Sequence, residues 1–219
     1  MEPEIVIVGG GAIGVSAAYE LALRGTRVTL LERGEALASG CSAGNAGLIC
    51  PSHTMPLATP AALRQGLRSL LRPGTPFSVR PRPTGLPWLA RFAGACRLER
   101  ADRGMRAIRG LSLASLDLHE QLAALGTSFE RRGTLGVFET EESFAAARRE
   151  AETSGLRAQV LSAEEACELE PALRPGLAGG VFHPDEAHLD PLRYVLAIGE
   201  AAAAAGAHLR TGTEVRALS

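Results

Sequence analysis

The chain has 219 residues, a formal net charge of −1 and a pI near 6.5, which suits one large domain or two small ones. Near-neutral charge gives no general case for a nucleic-acid partner, and no apolar run reaches the roughly 18 residues that a membrane-spanning helix needs. Every basic residue is an arginine and aromatics are only 4% of the chain, so the core must be built from Leu, Val and Ala.

Cys41, Cys50, Cys96 and Cys167 form no CxxC pair and no Cys/His cluster. A disulfide framework or a zinc site is therefore not expected, and the usage suits a reducing cytoplasm. Residues 1–8 lead straight into a strand, so no signal peptide is expected.

The first element is the run Ile5-Val6-Ile7-Val8, β-branched throughout, which predicts a buried parallel strand. Gly9, Gly11 and Gly14 follow as G-x-G-x-x-G. A helical period through Ile13, Ala17, Ala18 and Leu21 then runs to Gly25, and Val28 to Leu31 make a second strand closed by Glu32. This is a βαβ unit with a dinucleotide fingerprint in its proper context. Gly9 allows the tight turn, Gly11 lets a pyrophosphate approach the backbone, and Gly14 lets helix and strand pack closely. The helix start, at Ala12 and Ile13, offers N–H groups and the positive end of its dipole to phosphate. Glu32, 18 residues beyond Gly14, is placed to accept hydrogen bonds from an adenosine ribose and to repel a 2′-phosphate, which argues against NADP.

Ser39 to Cys50 is a small-residue loop containing Gly40, Gly44 and Gly47. A flexible linker is the plainest reading, but Asn45-Ala46-Gly47 runs into Leu48-Ile49, which suggests burial beneath a ligand. The two stretches GGGAIGVSAAYELALRGTRVTLLER and SAGNAGLICPSH together resemble the FAD-dependent amino-acid oxidoreductases of the D-amino-acid oxidase superfamily, most of all their D-amino-acid dehydrogenase branch. The later LDPLRYVLAIGEAAAAAGAHLRTGTEV is similar to the same family.

The resemblance implies an α/β fold: a Rossmann-like FAD-binding domain interleaved with an α+β substrate domain, both incomplete. It implies FAD-binding segments at 1–75 and 143–219 and a partial substrate domain at 76–142. FAD would be held by Gly9, Gly11, Ala12, Ile13, Gly14, Glu32 and Arg33. Ser42, Asn45, Ala46, Gly47 and Leu48 would wrap the pyrophosphate and approach the isoalloxazine. Val215, on the strand after Gly212-Thr213-Glu214, would meet the adenine through its backbone. His53 reads as a structural histidine ahead of a flavin-facing one. Cys41 and Cys50 read as small buried residues ahead of flavin attachment points.

Between Pro51 and Pro87, Pro73, Pro76, Pro81, Pro83 and Pro87 interrupt long elements, and the periodicity predicts a helix over Pro60–Leu71. The cluster Arg64, Arg68, Arg72, Arg80 and Arg82 reads as a solvated face ahead of a patch for anionic lipid. Met105 to Leu125 predicts an amphipathic helix ending at Gly126, and residues 133–138 a strand. Arg131 and Arg132 read as strand-edge charges ahead of substrate-carboxylate ligands. Glu141 to Thr153 predicts a helix, Ser162 to Glu165 a capping box, Gly179 to His183 a strand, and Asp190-Pro191 a helix start with its end at Gly206. His208–Arg210 and Glu214–Leu218 read as strands. His183, Asp185, Glu186 and His188 raise a metal site, which is not expected.

Members of the resembling family are about twice as long as this chain, so the groups that grip the substrate carboxylate are expected beyond it, and no catalytic residue is assigned. The substrate is expected to be an amino acid or amine oxidised at its C–N bond, with quinone and oxygen both open as electron acceptor. A sarcosine-, glycine- or proline-type amine oxidoreductase and a non-catalytic nucleotide-binding fragment are the alternatives. Self-association of a chain with open sheet edges is expected. So is a cytoplasmic protein, with a peripheral place on the inner face of the membrane left open.

Overall fold

The computed structural model describes residues 4–71 and 83–217. Arg72, Arg80, Arg82 and Leu218 lie outside the described residues. The chain divides into two compact units, one made of Met1–Cys50 with Leu116–Ser219 and the other of Pro51–Ser115.

In the first unit β1 (Ile5–Val8), α1 (Ala12–Leu23) and β2 (Val28–Leu31) form the βαβ unit. β1 and β2 pair in parallel from Ile5↔Val28 to Val8↔Leu31. β8 (His208–Arg210) joins on the other side of β2, also parallel, from Thr29↔His208 to Leu31↔Arg210. The sheet order is β1-β2-β8. α7 (Pro191–Ala204) precedes β8 and packs along α1. Small residues make that approach close: Ala18 and Ala22 of α1 and Ala202 of α7 are buried with Val15, Val195 and Ile198 in one core. Val28 and Leu30 supply the sheet side of that core.

Two smaller sheets complete this unit. β3 (Leu48–Ile49) pairs antiparallel with β7 (Ala187–His188). β4 (Thr134–Phe138) and β5 (Gln159–Leu161) flank β6 (Gly179–His183), both antiparallel. α5 (Glu141–Ser154) is capped by Thr140, whose hydroxyl accepts from Ser143 N–H. α6 (Ala163–Leu169) carries the expected capping box between Ser162 and Glu165. At α7 the Asp190 carboxylate accepts from the N–H groups of Leu192 and Arg193, with Pro191 at the first position.

The second unit holds α2 (Pro60–Leu71), α3 (Leu86–Ala95) and most of α4 (Leu98–Leu122). The helix expected from Met105 begins seven residues earlier, at Leu98. Its first two turns are rich in exposed arginine, so they carry no apolar period to read, although arginine favours helix. A short 3₁₀ turn follows α4, and Gly126 ends it in the left-handed region at φ +81.

Two further expectations are corrected. β1 was expected to be buried, yet Val6 and Val8 are 54% and 61% exposed. Ile7, in register with core-facing Leu30, packs on the core. Val6 and Val8 point to the opposite face, against which no described element packs, and a parallel strand is buried only when both faces are covered. The second correction is the strand expected over Glu214–Leu218: residues 214–217 are not strand. The chain runs beside β2's end only as far as Thr213, whose N–H donates to Glu32 O at 2.8 Å. Beyond it no backbone ladder is available among the described residues.

The packing of α1 on α7 depends on Ile198, which is fully buried between them and the sheet. Ile198→Ala should destabilise this unit by about 2–5 kcal/mol, measured as a lowered midpoint in urea unfolding with an unchanged slope.

Candidate nucleotide-binding site

The site is built where β1 ends. Gly9 has φ +110, a conformation that side chains other than glycine rarely adopt. A Cβ on Gly14 would fall on the carbonyl oxygen of Gly9, so the turn and the first turn of α1 are pressed together. Gly11 is the N-cap of α1 and offers no side-chain cap. The Ser42 hydroxyl instead accepts from Ala12 N–H at 3.0 Å, and a Cβ on Gly11 would lie 2.9 Å from that hydroxyl. The N–H groups of Ile13 and Gly14, next in the first turn, receive no cap from a side chain. Ile13 is 88% exposed, so this helix start faces open space. That is a cradle for an anion: a bare turn, unspent donors and the positive end of a helix dipole.

Glu32 closes the turn from the side. Its Oε2 accepts from Gly10 N–H at 2.6 Å and its Oε1 from Gly34 N–H at 2.7 Å. These two bonds, first Gly34 and then Gly10, hold the carboxyl below the usual carboxylate range; Arg33 adds a favourable charge and burial opposes. Gly10 and Gly34 were not among the expected site residues. Their signal was present in principle, since a carboxylate at the end of β2 sits beside the turn that ends β1. Ala38, buried at φ +60, donates to Gly10 O at 2.9 Å and ties the following loop to the same turn.

The loop from Ser42 to Leu48 is held by short bonds. Asn45 N–H donates to Ser42 O at 3.3 Å, and the Asn45 side-chain oxygen accepts from Gly47 N–H at 2.8 Å. Gly47 has φ +71, and a Cβ there would fall on the carbonyl of Leu189. Leu189 N–H donates to Gly47 O at 3.0 Å, which continues the β3–β7 pairing of Leu48 with His188. Leu48 is 56% exposed, not buried. Arg33 is exposed, and Val215 is half-buried two residues beyond Thr213. The structure thus gathers Gly9, Gly11, Ala12, Gly14, Glu32 and Ser42 around one helix start. Asn45, Ala46, Gly47 and Leu48 form the adjoining loop.

Cys41, expected to be buried, is exposed, because it lies in the turn on the outer side of this loop. Cys50, at the end of β3, lies beside the Glu186 carboxylate, which also accepts from the Thr134 hydroxyl. Burial first, and then the Glu186 charge, push the Cys50 thiol up to about 12, so it stays protonated and unreactive. Among the described residues no His, Cys, Asp and Glu side chains group as metal ligands.

A sequence profile of the FAD dependent oxidoreductase family matches residues 4–219, and the chain belongs to that family. The chain is 40% identical over 195 residues to D-amino acid dehydrogenase 2 of Ralstonia nicotianae, which covers 84% of this chain and 46% of that protein. It is 30% identical over 198 residues to D-amino acid dehydrogenase of Helicobacter pylori, covering 87% and 47%. Among solved structures it is similar to glycine oxidase from Geobacillus kaustophilus, with a TM-score of 0.62 at 26% identity over 96% of this chain and 46% of that one. L-proline dehydrogenase from P. horikoshii gives a TM-score of 0.64 at 23% identity, over 98% and 45%. The chain spans about half the length of the relatives it matches. The family is FAD dependent, and the bare turn, the helix start with Ile13 and Gly14 N–H uncapped by a side chain, and the Glu32 carboxylate beside them fit that dinucleotide.

Because Glu32 has a lowered carboxyl pKa, its contribution to stability is present above its ordinary value of 4.5 and is lost as pH falls through the lowered value. Glu32→Gln should therefore cost about 1–2 kcal/mol at neutral pH. The gap between wild type and variant should close below that window, as read by urea unfolding at a series of pH values.

Proposed function

We propose that this chain carries the FAD-binding part of an oxidoreductase that oxidises the C–N bond of an amino acid to an imine, in the manner of a D-amino acid dehydrogenase. The single observation behind this reading is the α1 start: an anion cradle with Ser42 and Glu32 at its sides. The 40% and 30% identity to D-amino acid dehydrogenases supports the substrate class.

In this reading the N–H groups of Ile13 and Gly14 take the pyrophosphate. Glu32, already fixed by two backbone donors, turns its remaining lone pairs to the adenosine ribose. Ser42 holds the helix start open by occupying Ala12 N–H, and the Asn45–Leu48 loop, anchored on β7, borders the flavin side. Backbone near Val215 meets the adenine. Bound FAD supplies the redox chemistry. The segments 1–75 and 143–219 form the flavin domain and 76–142 part of the substrate domain, and the groups that grip substrate are supplied by sequence beyond this chain. The similarity to glycine oxidase and L-proline dehydrogenase folds keeps a glycine-, sarcosine- or proline-type amine substrate as a second reading.

The test is colour and binding. A full-length form should absorb near 450 nm, about where a protein-bound flavin does, and should reduce a dye with D-amino acids. A colourless protein that binds NADH stoichiometrically overturns the reading. Turnover with sarcosine, glycine or L-proline and not with D-amino acids selects the second. Gly14→Ala should lower FAD affinity at least tenfold by titration, because its methyl collides with Gly9 O and moves the helix start.

A further inference from the structure

Two hydroxyl groups join the start of α1 to α7. Ser16, one turn beyond Ala12 on α1, donates its hydroxyl proton to Ala12 O at 2.7 Å. The Tyr194 hydroxyl, at the start of α7, lies 2.8 Å from Ser16 Oγ across 178 positions of sequence. A serine hydroxyl has one hydrogen and two lone pairs. With that hydrogen on Ala12 O, Tyr194 O–H is the donor and Ser16 Oγ the acceptor. The bonds therefore run in one direction, from Tyr194 through Ser16 to the Ala12 carbonyl.

Tyr194 is held firmly for this. It is 6% exposed and belongs to the core shared by α1 and α7. The His119 ring of α4 lies against its ring, with centroids 4.9 Å apart and planes inclined by 55°. Asp190 caps the helix that carries it. Burial raises its hydroxyl above the usual phenol range; the Ser16 bond opposes this and the Glu20 charge adds to it. The group keeps its proton near neutral pH and stays a donor.

The far end of the chain of bonds is the nucleotide cradle. Ala12 C=O and Ile13 N–H are the two ends of one planar, conjugated peptide group. A hydrogen bond onto that carbonyl draws electron density from the amide nitrogen and makes its N–H a stronger donor. Ile13 N–H is one of the two donors at the α1 start that receive no cap from a side chain. On its other side Ala12 is fixed as well, because its own N–H is taken by Ser42.

We propose that Tyr194 is a positioning residue for the nucleotide: through Ser16 it orients and polarises the Ala12–Ile13 peptide, whose N–H meets the pyrophosphate. The proposal rests on the reading of the α1 start as the FAD cradle. A buried tyrosine hydroxyl needs a partner in any case. What marks this one as more than paired is that its loss reaches Ile13.

Tyr194→Phe keeps the ring and its packing and removes only the donor. In a full-length form the variant should bind FAD about two- to fivefold more weakly by titration. The same substitution in a Ser16→Ala background should cost nothing further, because no path then remains from the ring to the peptide. In the 15N-labelled chain without cofactor, the Ile13 amide proton should move upfield in Tyr194→Phe and further in Ser16→Ala. In Ser16→Thr, which keeps the hydroxyl, it should return toward wild type. An unmoved Ile13 amide, equal FAD affinity in wild type and Tyr194→Phe, or the same loss in both Ser16 backgrounds overturns the inference and leaves Tyr194 a core residue. Wild type that binds neither FAD nor ADP overturns the cradle reading and this inference with it, so wild-type binding tells the two failures apart.

Discussion

The Glu32 carboxylate ties the end of the second strand to both the turn before α1 and the loop after β2. One oxygen takes Gly10 N–H and the other takes Gly34 N–H. Both donors belong to glycines in turns, where backbone groups find no helical or sheet partner, and a buried donor left unsatisfied costs about 1–3 kcal/mol. A carboxylate accepts two such bonds at once, and each is strengthened by its charge. The α1 start therefore arrives already shaped: Gly9 in its positive-φ turn, Gly14 against Gly9 O, and Ser42 on Ala12 N–H. Little ordering remains for a dinucleotide to impose, which is what favours binding at a preformed cradle.

The second support is the pairing of β3 with β7. The loop Ser42–Leu48 enters β3, and β3 is zipped to β7 through Leu48↔His188 and Ile49↔Ala187. Next to β7, Glu186 is 3% exposed and accepts from Thr134 on β4, with the Cys50 thiol beside it. One buried carboxyl thus joins β4, the end of β3 and the β6–β7 turn, and Gly133, just before β4, donates its N–H to Glu186 O at 2.8 Å. A buried carboxyl held by bonds to separate elements favours one arrangement of those elements. The acids and histidines around 183–188 raise a metal site that is not expected from the sequence; here Glu186 is spent on holding the loop that borders the nucleotide site.

The two units contrast in how they resolve their charge. In the first, arginines pair with acids at the surface and the interior is a tight alanine, valine and leucine core. In the second, Arg64, Arg68, Arg91, Arg97, Arg100 and Arg106 enter no ion pair among the described residues, and burial is slight. The isolated cluster from Arg64 to Arg82 reads as an ordinary solvated face.

Local chemistry was legible in the residues themselves. The βαβ order, the glycine turn, the capping box at Ser162 and the Asp190-Pro191 helix start depend on contacts within a few positions, and each formed as its residue types dictate. The family was legible for the same reason, since a phosphate-binding turn is a local motif. What depends on distant partners was not. Val6 and Val8 have the composition of a buried strand, but burial is decided by what packs on a face, and no described element packs on theirs. Residues 214–217 have strand-like side chains and no ladder to join. The roles of Gly10 and Glu186 follow from carboxylates meeting donors 22 and 52 positions away. Residue type and spacing set the turns and helix ends; the long-range pairings, which only the folded chain brings together, decide which charges are spent on structure.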